Sequence, residues 1–536
     1  MQLDLSTLPY RSTRQPLFAT RGVVATSQPL AAQAGLAMLQ RGGNAVDAAI
    51  ATAVALTVVE PTSNGIGGDL FALVWDGARL HGLNGSGRAP AALTMEAVRA
   101  AGHASIPARG WLSVTVPGAP AGWRDLHQRF GQLRFTQLFE PAISYAEQGF
   151  PVSPVLAQYW ERAAALFATY SGPEFDGWAA TFAPDGRAPR PGEIWSSRGH
   201  ARTLSLIAES QADDFYRGEI AQAIVRFAQR TGGLITARDM AAHTSTWVAP
   251  ISANYRGYDV WEIPPNGQGL AALLALNILE GFDLRQWERE SPQSYHLQIE
   301  AIKLAMADAQ RYIADPERTA VPTDALLSRE YAAQRRALIG KQALDPAPGD
   351  PIHGGTVLLC TADADGMMVS LIQSNYRGFG SGIVVPGTGI ALQNRAEGFS
   401  MQPGHPNQLE PGKRPFHTII PGFVTHNGRA VGPFGVMGGH MQPQGHVQMI
   451  VNTIDYGLNP QASLDAPRWY WEQGREVLFE SGTPESLVQT LRQHGHDGRL
   501  TNDRGPFGRG QIIWRLPSGA YVAGSDGRAD GCAVGF

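Results

Sequence analysis

Cysteine is nearly absent: Cys360 and Cys532 are the only two in 536 residues, too few for a disulfide framework. Charge is also scarce. Asp, Glu, Lys and Arg make up 17% of the chain, against ~25% in an average soluble domain. The net charge is −4 and no basic block stands out, which argues against a nucleic-acid partner. The longest apolar run, Ala48–Val59, falls well short of the ~20 residues of a membrane span. The opening stretch Met1–Gln15 lacks the charged-then-apolar order of a secretion signal, so a soluble, cytoplasmic protein with no membrane contact is expected. What is abundant is glycine (62), proline (37) and hydrophobic residues (43%). That mixture excludes a disordered, coiled-coil or collagen-like chain and points to a large core with many tight turns. The length allows three domains or one large layered α/β unit.

The pattern predicts helices over Pro29–Gln40, with Gly42-Gly43 as a stop, and over Ala45–Val59, which is apolar all round and so interior. A glycine-rich turn, Ser63–Asp69, leads into a hairpin: Leu70–Trp75, the turn Asp76-Gly77, and a return strand from Arg79 towards Arg88. Residues 110–340 read as mostly helical, for example Pro120–Phe130, Thr136–Gln148, Gly218–Thr231, Gly269–Leu279 and Ser294–Tyr312. Ala343–Gly355 (ALDPAPGDPIHGG) has no apolar period and reads as an exposed, mobile linker. Beyond it come hairpins: Thr356–Thr361 with Met367–Gln373, Gly422–Thr425 with Ala430–Val436, and Gln511–Arg515 with Tyr521–Ala523. The second of these runs through Met437-Gly438-Gly439 into a helix at about Pro443–Tyr456. Helices in the middle and strands at the end fit a sheet packed between helical layers.

There is no G-x-S-x-G elbow, Walker A loop or H-E-x-x-H motif, and the Gly65–Gly68 turn lacks the third glycine of a dinucleotide fingerprint. His440 and His446 do not have a standard metal-ligand spacing. A mechanism without cofactor or metal is expected. The junction Gly355-Thr356 stands out, because a threonine there begins a strand directly after the linker. It reads either as a plain domain boundary or as a cut site. If cut, Thr356 would gain an α-amine beside its own hydroxyl, and an amine with a pKa of about 7.7–8.0 can take the hydroxyl proton.

Gly42–Gly68 (GGNAVDAAIATAVALTVVEPTSNGIGG) resembles the N-terminal signature of the γ-glutamyltranspeptidase family. Gly380–Leu392 (GSGIVVPGTGIAL), Gly412–Pro415, Asn452–Arg468 (NTIDYGLNPQASLDAPR) and the closing Gly524–Phe536 (GSDGRADGCAVGF) are similar to later family motifs, in the family order. The resemblance implies an α+β chain with the N-terminal-nucleophile hydrolase fold, a four-layer αββα sandwich made as one precursor. It implies self-cleavage into a large chain, 1–355, and a small chain, 356–536, which together form one structural domain. Thr356 would attack the Gly355 carbonyl, and the resulting ester would be hydrolysed to leave Thr356 as the nucleophile. Ser374 stands where the family has a threonine hydroxyl that bonds the nucleophile's amine. Gly438 and Gly439 match the family's oxyanion-hole pair. The two chains of one precursor would stay associated, with a dimer of such pairs as a further option.

Substrate recognition departs from the transpeptidases. They hold an α-ammonium with an acidic residue and nearby amides, and the matching positions here are Tyr376, Arg395 and Gly398. Arginine attracts a carboxylate instead. Two carboxylate-binding serines are replaced by His417 and Thr418, and the family's arginine aligns with Ser86. Arg88 stands two places on, on the same face if the strand continues. The segment Phe399–Lys413 is shorter than the family's lid, so an open pocket is expected. This chemistry resembles that of the glutaryl-type cephalosporin acylases and oxamate amidohydrolases. The reading is a self-processing amidohydrolase acting on a small-molecule amide of an oxamate-, glutaryl- or γ-glutamyl-type acid. Arg88, Tyr376, Arg395, His417 and Thr418 would contact the substrate. The rivals are a true γ-glutamyl transpeptidase or glutathione hydrolase, a non-catalytic ligand-binding relative that does not cut itself, and a nucleotide-binding enzyme using the Gly65–Gly68 turn.

Overall fold

The computed structural model describes residues 13–346 and 355–536. Two seven-stranded sheets lie face to face, and every neighbouring pair within them is antiparallel. The first sheet runs, in spatial order, Cys532–Gly535, Gly22–Thr26, Gly355–Asp363, Met368–Tyr376, Asp69–Trp75, Leu80–Gly85 and Thr246–Val248. The second runs Leu17–Ala19, Tyr521–Ser525, Arg509–Arg515, Arg429–Met437, Gly422–His426, Tyr258–Glu262 and Ile251–Tyr255. Their facing sides bury an apolar layer that includes Phe71, Leu73, Leu358, Ile372, Phe423 and Ile513.

Helices close both outer faces. Pro29–Gln40 and Ala45–Val59 cover the first sheet; Gly269–Leu279, Met441–Ile454 and Pro460–Asp465 cover the second. The result is the expected αββα sandwich. Ala45–Val59 is buried at every residue because it lies between the sheet and the helices Pro29–Gln40 and Phe135–Gln148. Its start is fixed by a reciprocal cap: Asn44 Oδ1 accepts from the Val46 and Asp47 amides, and Asp47 Oδ2 accepts from the Asn44 amide. The expected cut site begins a central strand, so both faces of that strand are covered. The segment before residue 346 and the segment from residue 355 onward both contribute strands to each of the two sheets.

Several expectations need correction. The middle region is not simply helical: Thr246–Val248, Ile251–Tyr255 and Tyr258–Glu262 form the last strands of both sheets. The return strand stops at Gly85 and does not reach Arg88. The linker begins anchored rather than exposed, because Ala343 is buried and its amide donates to the His494 carbonyl at 2.7 Å. Residues 347–354 of that segment lie outside the described residues. Cys360 and Cys532 are both free. Among the described residues, no helix is long and apolar enough to cross a membrane.

Candidate active site

Thr356 is the second residue of its strand, and its partner strand carries one extra residue opposite it. Gly355 pairs with Tyr376 but Val357 pairs with Gln373, so two steps on one strand face three on the other. Such a bulge re-aims side chains. Here the Thr356 hydroxyl donates to Ser374 Oγ at 3.2 Å, and the same oxygen accepts from the Tyr376 amide at 2.8 Å. Tyr376 takes a left-handed φ of +78°, unusual for an aromatic residue. Thr356 and Ser374 are buried. The short segment Phe399–Lys413 is folded on itself: Asn407 Nδ2 donates to the Gly398 carbonyl, and Lys413 Nζ to the Pro406 carbonyl.

The glycine pair lies between strand Arg429–Met437 and helix Met441–Ile454. Gly438 has φ +129° and Gly439 +62°, where a side chain is disfavoured. The Gly438 carbonyl accepts from the Met441 amide, and the Gly439 carbonyl from the Gln442 amide and from Gln268 Nε2 at 2.8 Å. In a trans peptide the N–H points opposite its carbonyl, so the Gly439 amide faces away from the helix's first turn. Gln268, which precedes helix Gly269–Leu279, also donates to the Thr418 carbonyl at 2.6 Å and faces His440 Nδ1 at 3.2 Å. It therefore ties the glycine pair to the Thr418 segment.

Arg395 is 1% exposed, yet only part of its guanidinium is satisfied. Nη1 donates to Thr418 Oγ1 at 2.8 Å, the guanidinium carbon lies 4.6 Å from the centre of the Tyr376 ring, and Nε and Nη2 have no hydrogen-bond partner among the described residues. Burial pulls its pKa down to about 10, against the opposing pull of Asp69. Gly398, one of the three positions matched to the ammonium-binding group, is closed in by backbone: a Cβ there would lie 2.8 Å from the Phe416 carbonyl oxygen.

The other expected substrate residues face elsewhere. His417 is buried, and its Nε2–H donates to Asp69 Oδ2 at 3.0 Å, while Nδ1 faces the Ile419 amide at 3.4 Å. Both ring nitrogens are engaged inside the protein, so His417 has no donor left for a substrate. Burial and the charges of Arg395 and Arg414 hold it neutral, well below the usual histidine range. Arg88 lies beyond the strand end and pairs with Glu317 through Nη2, at 2.9 and 2.8 Å. The same-face argument for it therefore fails. Arg414, also bonded to Glu317, is the buried arginine of that corner and donates to the Ser86 carbonyl.

Asp69, Gln268 and Arg414 were missed in the sequence because each acts through partners far along the chain. Asp69 pairs in register with Ser374 on the next strand. Its Oδ1 accepts from the Gly87 and Gly118 amides and Gln393 Nε2. Burial pushes its carboxyl up to about 7, opposed by Arg395, Gln393 and those amides. In the Gly65–Gly68 turn, Gly67 and Gly68 are accounted for by close packing against other backbone. A Cβ at Gly67 would sit 2.4 Å from the Ala391 carbonyl oxygen, and one at Gly68 2.6 Å from that of Ser374.

The gamma-glutamyltranspeptidase family model matches residues 31–536. The chain belongs to this family. As a member it is an N-terminal-nucleophile hydrolase made as a proenzyme. It is 38% identical to the glutathione hydrolase-like YwrD proenzyme of Bacillus subtilis, over 97% of this chain and 99% of that one. It is 34% identical to the oxamate amidohydrolase proenzyme of Klebsiella pneumoniae, with the same coverage. Among solved structures, a cephalosporin acylase from Bacillus halodurans superposes with a TM-score of 0.97 at 55% identity, over 100% of this chain and 99% of that one.

Proposed function

We propose that this family member cuts itself between Gly355 and Thr356, and then hydrolyses amides whose acyl group carries a free carboxylate and no α-ammonium. The observation that carries the substrate class is Arg395, a buried guanidinium with Nε and Nη2 unpartnered. A planar fork of that kind matches a carboxylate, and a buried charged donor left unpaired is costly. An α-ammonium would be repelled by it, and Gly398 offers no side chain to hold one.

In maturation, the Thr356 hydroxyl adds to the Gly355 carbonyl carbon, the C–N bond breaks, and the acyl group moves to the Thr356 oxygen. Water hydrolyses that ester and frees the Thr356 α-amine. In turnover the amine takes the hydroxyl proton, and the oxygen attacks the substrate's amide carbon. The Gly438 and Gly439 amides receive the oxyanion. The leaving amine takes up the proton as the C–N bond breaks, and water releases the acid from the acyl-enzyme. Ser374 holds the nucleophile's amine, Thr418 and Tyr376 hold Arg395, and His417 braces this wall through Asp69. Shared sheets support continued association of residues 1–355 with 356–536. The similarity to an oxamate amidohydrolase and to a cephalosporin acylase is compatible with this reading.

The test is the intact mass and N-terminal sequence of the purified protein, followed by paired anilide assays. A small chain beginning Thr-Val-Leu-Leu-Cys, with glutaryl p-nitroanilide preferred over γ-glutamyl p-nitroanilide, supports the proposal. An uncut chain under maturing conditions overturns it in favour of a ligand-binding relative. Preference for the γ-glutamyl anilide overturns the substrate class alone.

A further inference from the structure

Helix Pro292–Tyr312 carries a second buried polar cluster, made of residues that the site above does not use. His296 and Glu300 stand one turn apart on it, and His496 reaches them from the segment before strand Asp497–Thr501. All three side chains are buried. His296 Nδ1 lies 2.8 Å from His496 Nε2, which lies 3.8 Å from Glu300 Oε1. The three atoms fall within 4.8 Å of one another.

We propose that His296 Nδ1, His496 Nε2 and Glu300 Oε1 form a binding site for one zinc-class divalent ion. Two imidazole nitrogens and a carboxylate oxygen are a zinc donor set. Bonds of ~2.0–2.1 Å in tetrahedral geometry place ligand atoms roughly 3.3 Å apart, between the two separations seen here. The outer nitrogen of His296 donates to the Gly340 carbonyl at 2.9 Å, which turns the Nδ1 lone pair inward as metal-bound histidines require. His496 Nδ1 is buried without a hydrogen-bond partner among the described residues. An ion at Nε2 shifts the imidazole proton to that nitrogen, and no proton is lost from the ring.

Lys303 is the competitor. Its ammonium lies 2.8 Å from Glu300 Oε1 and donates to the Leu344 carbonyl at 3.0 Å. Arg475 adds positive charge around the cluster, and Asp345 adds negative charge. Metal entry therefore works against a cation already in place. The site also has a structural consequence. Glu300 Oε2 accepts from the Leu344 amide at 2.8 Å, so the cluster grips the backbone from Gly340 to Leu344. An ion there would stiffen the last described part of the chain ahead of the expected cut.

The experiment uses the full-length, tag-free protein, stripped with chelator and dialysed against micromolar Zn²⁺, with bound metal counted by mass spectrometry. Co²⁺ in place of Zn²⁺ gives the coordination geometry from its visible bands. One equivalent of zinc, intense tetrahedral cobalt bands, and loss of both in His496→Asn are expected. Lys303→Met should tighten binding by about tenfold, since it removes the neighbouring positive charge. No stoichiometric uptake by the wild type, or uptake unchanged in His496→Asn, overturns the site. If His496→Asn does not fold, the wild-type cobalt spectrum and the Lys303→Met affinity decide. Octahedral bands or an unchanged affinity overturn it.

Discussion

The guanidinium of Arg395 lies 4.6 Å from the ring of Tyr376, and Tyr376 in turn donates its amide to Ser374, the residue that receives the Thr356 hydroxyl. The expected nucleophile and the expected carboxylate holder are thus joined by one short chain of contacts along a single strand bulge.

That link makes Arg395 testable. Arg395→Gln should lower kcat/KM for glutaryl p-nitroanilide by roughly 10–100-fold, mostly through KM, the loss of one charge-assisted contact. The γ-glutamyl anilide should lose less or improve, because the charge opposing its ammonium is gone. Equal losses on both anilides would remove Arg395 from substrate selection. Arg395→Lys should not restore the wild-type value, since an ammonium lacks the planar fork.

Thr356→Ala should leave one uncut chain of 536 residues, read on a denaturing gel, because no hydroxyl remains to attack Gly355. Ser374→Ala should still cut, but slowly. It removes an acceptor from both Thr356 and the Tyr376 amide, and a buried donor deprived of its partner costs about 1–3 kcal/mol. Ser374→Thr keeps the oxygen and should restore the rate. Cutting of Ser374→Ala at the wild-type rate would show that the serine does not position the nucleophile.

Gly438→Ala places a Cβ 3.0 Å from the Gly508 Cα in a backbone conformation with φ +129°. The pair must shift, and its amides shift with it. A fall of roughly 10²–10³ in kcat with little change in KM is expected, the usual cost of a lost oxyanion donor. A proportionate rise in KM instead would place the pair in ground-state binding.

How much of this was legible in the sequence depends on the range of each interaction. Ala45–Val59 was read to the residue, because its cap and apolar run are local. The hairpin ending at Gln373 was read, but its bulge at Ser374 was not: nothing local marks where an extra residue enters a ladder. The strands Ile251–Tyr255 and Tyr258–Glu262 escaped because they are short, half-buried and set among helices. Arg88 was misplaced because a two-residue parity argument holds only while the strand lasts, and it ends at Gly85. The His417–Asp69 contact joins residues 348 apart, and His296–His496 joins residues 200 apart. No spacing rule reaches either.

The closing segment Gly524–Phe536 now has a physical reason. Asp526 Oδ2 accepts from Arg468 at 2.7 Å and from the Gly510 amide at 2.8 Å, while Oδ1 accepts from the Arg528 amide at 2.9 Å and from Arg528 Nη1 at 3.1 Å. Arg528 also grips Glu480. All four side chains are buried. The two arginines and the amides hold the Asp526 carboxyl well below the usual carboxylate range, despite burial acting the other way. Folding therefore favours the ionised form. The stability this contributes is complete above the unfolded carboxylate value of ~3.9 and is lost as pH falls below it towards the folded value. The wild-type Tm should accordingly drop steeply below about pH 4. Asp526→Asn leaves two buried guanidiniums short of their counter-charge and should cost about 3–5 kcal/mol at pH 7. The same variant should show a shallower acid limb, because the titrating group is gone. Equal steepness in variant and wild type, followed by calorimetry from pH 3 to 7, would assign the acid limb to other carboxylates.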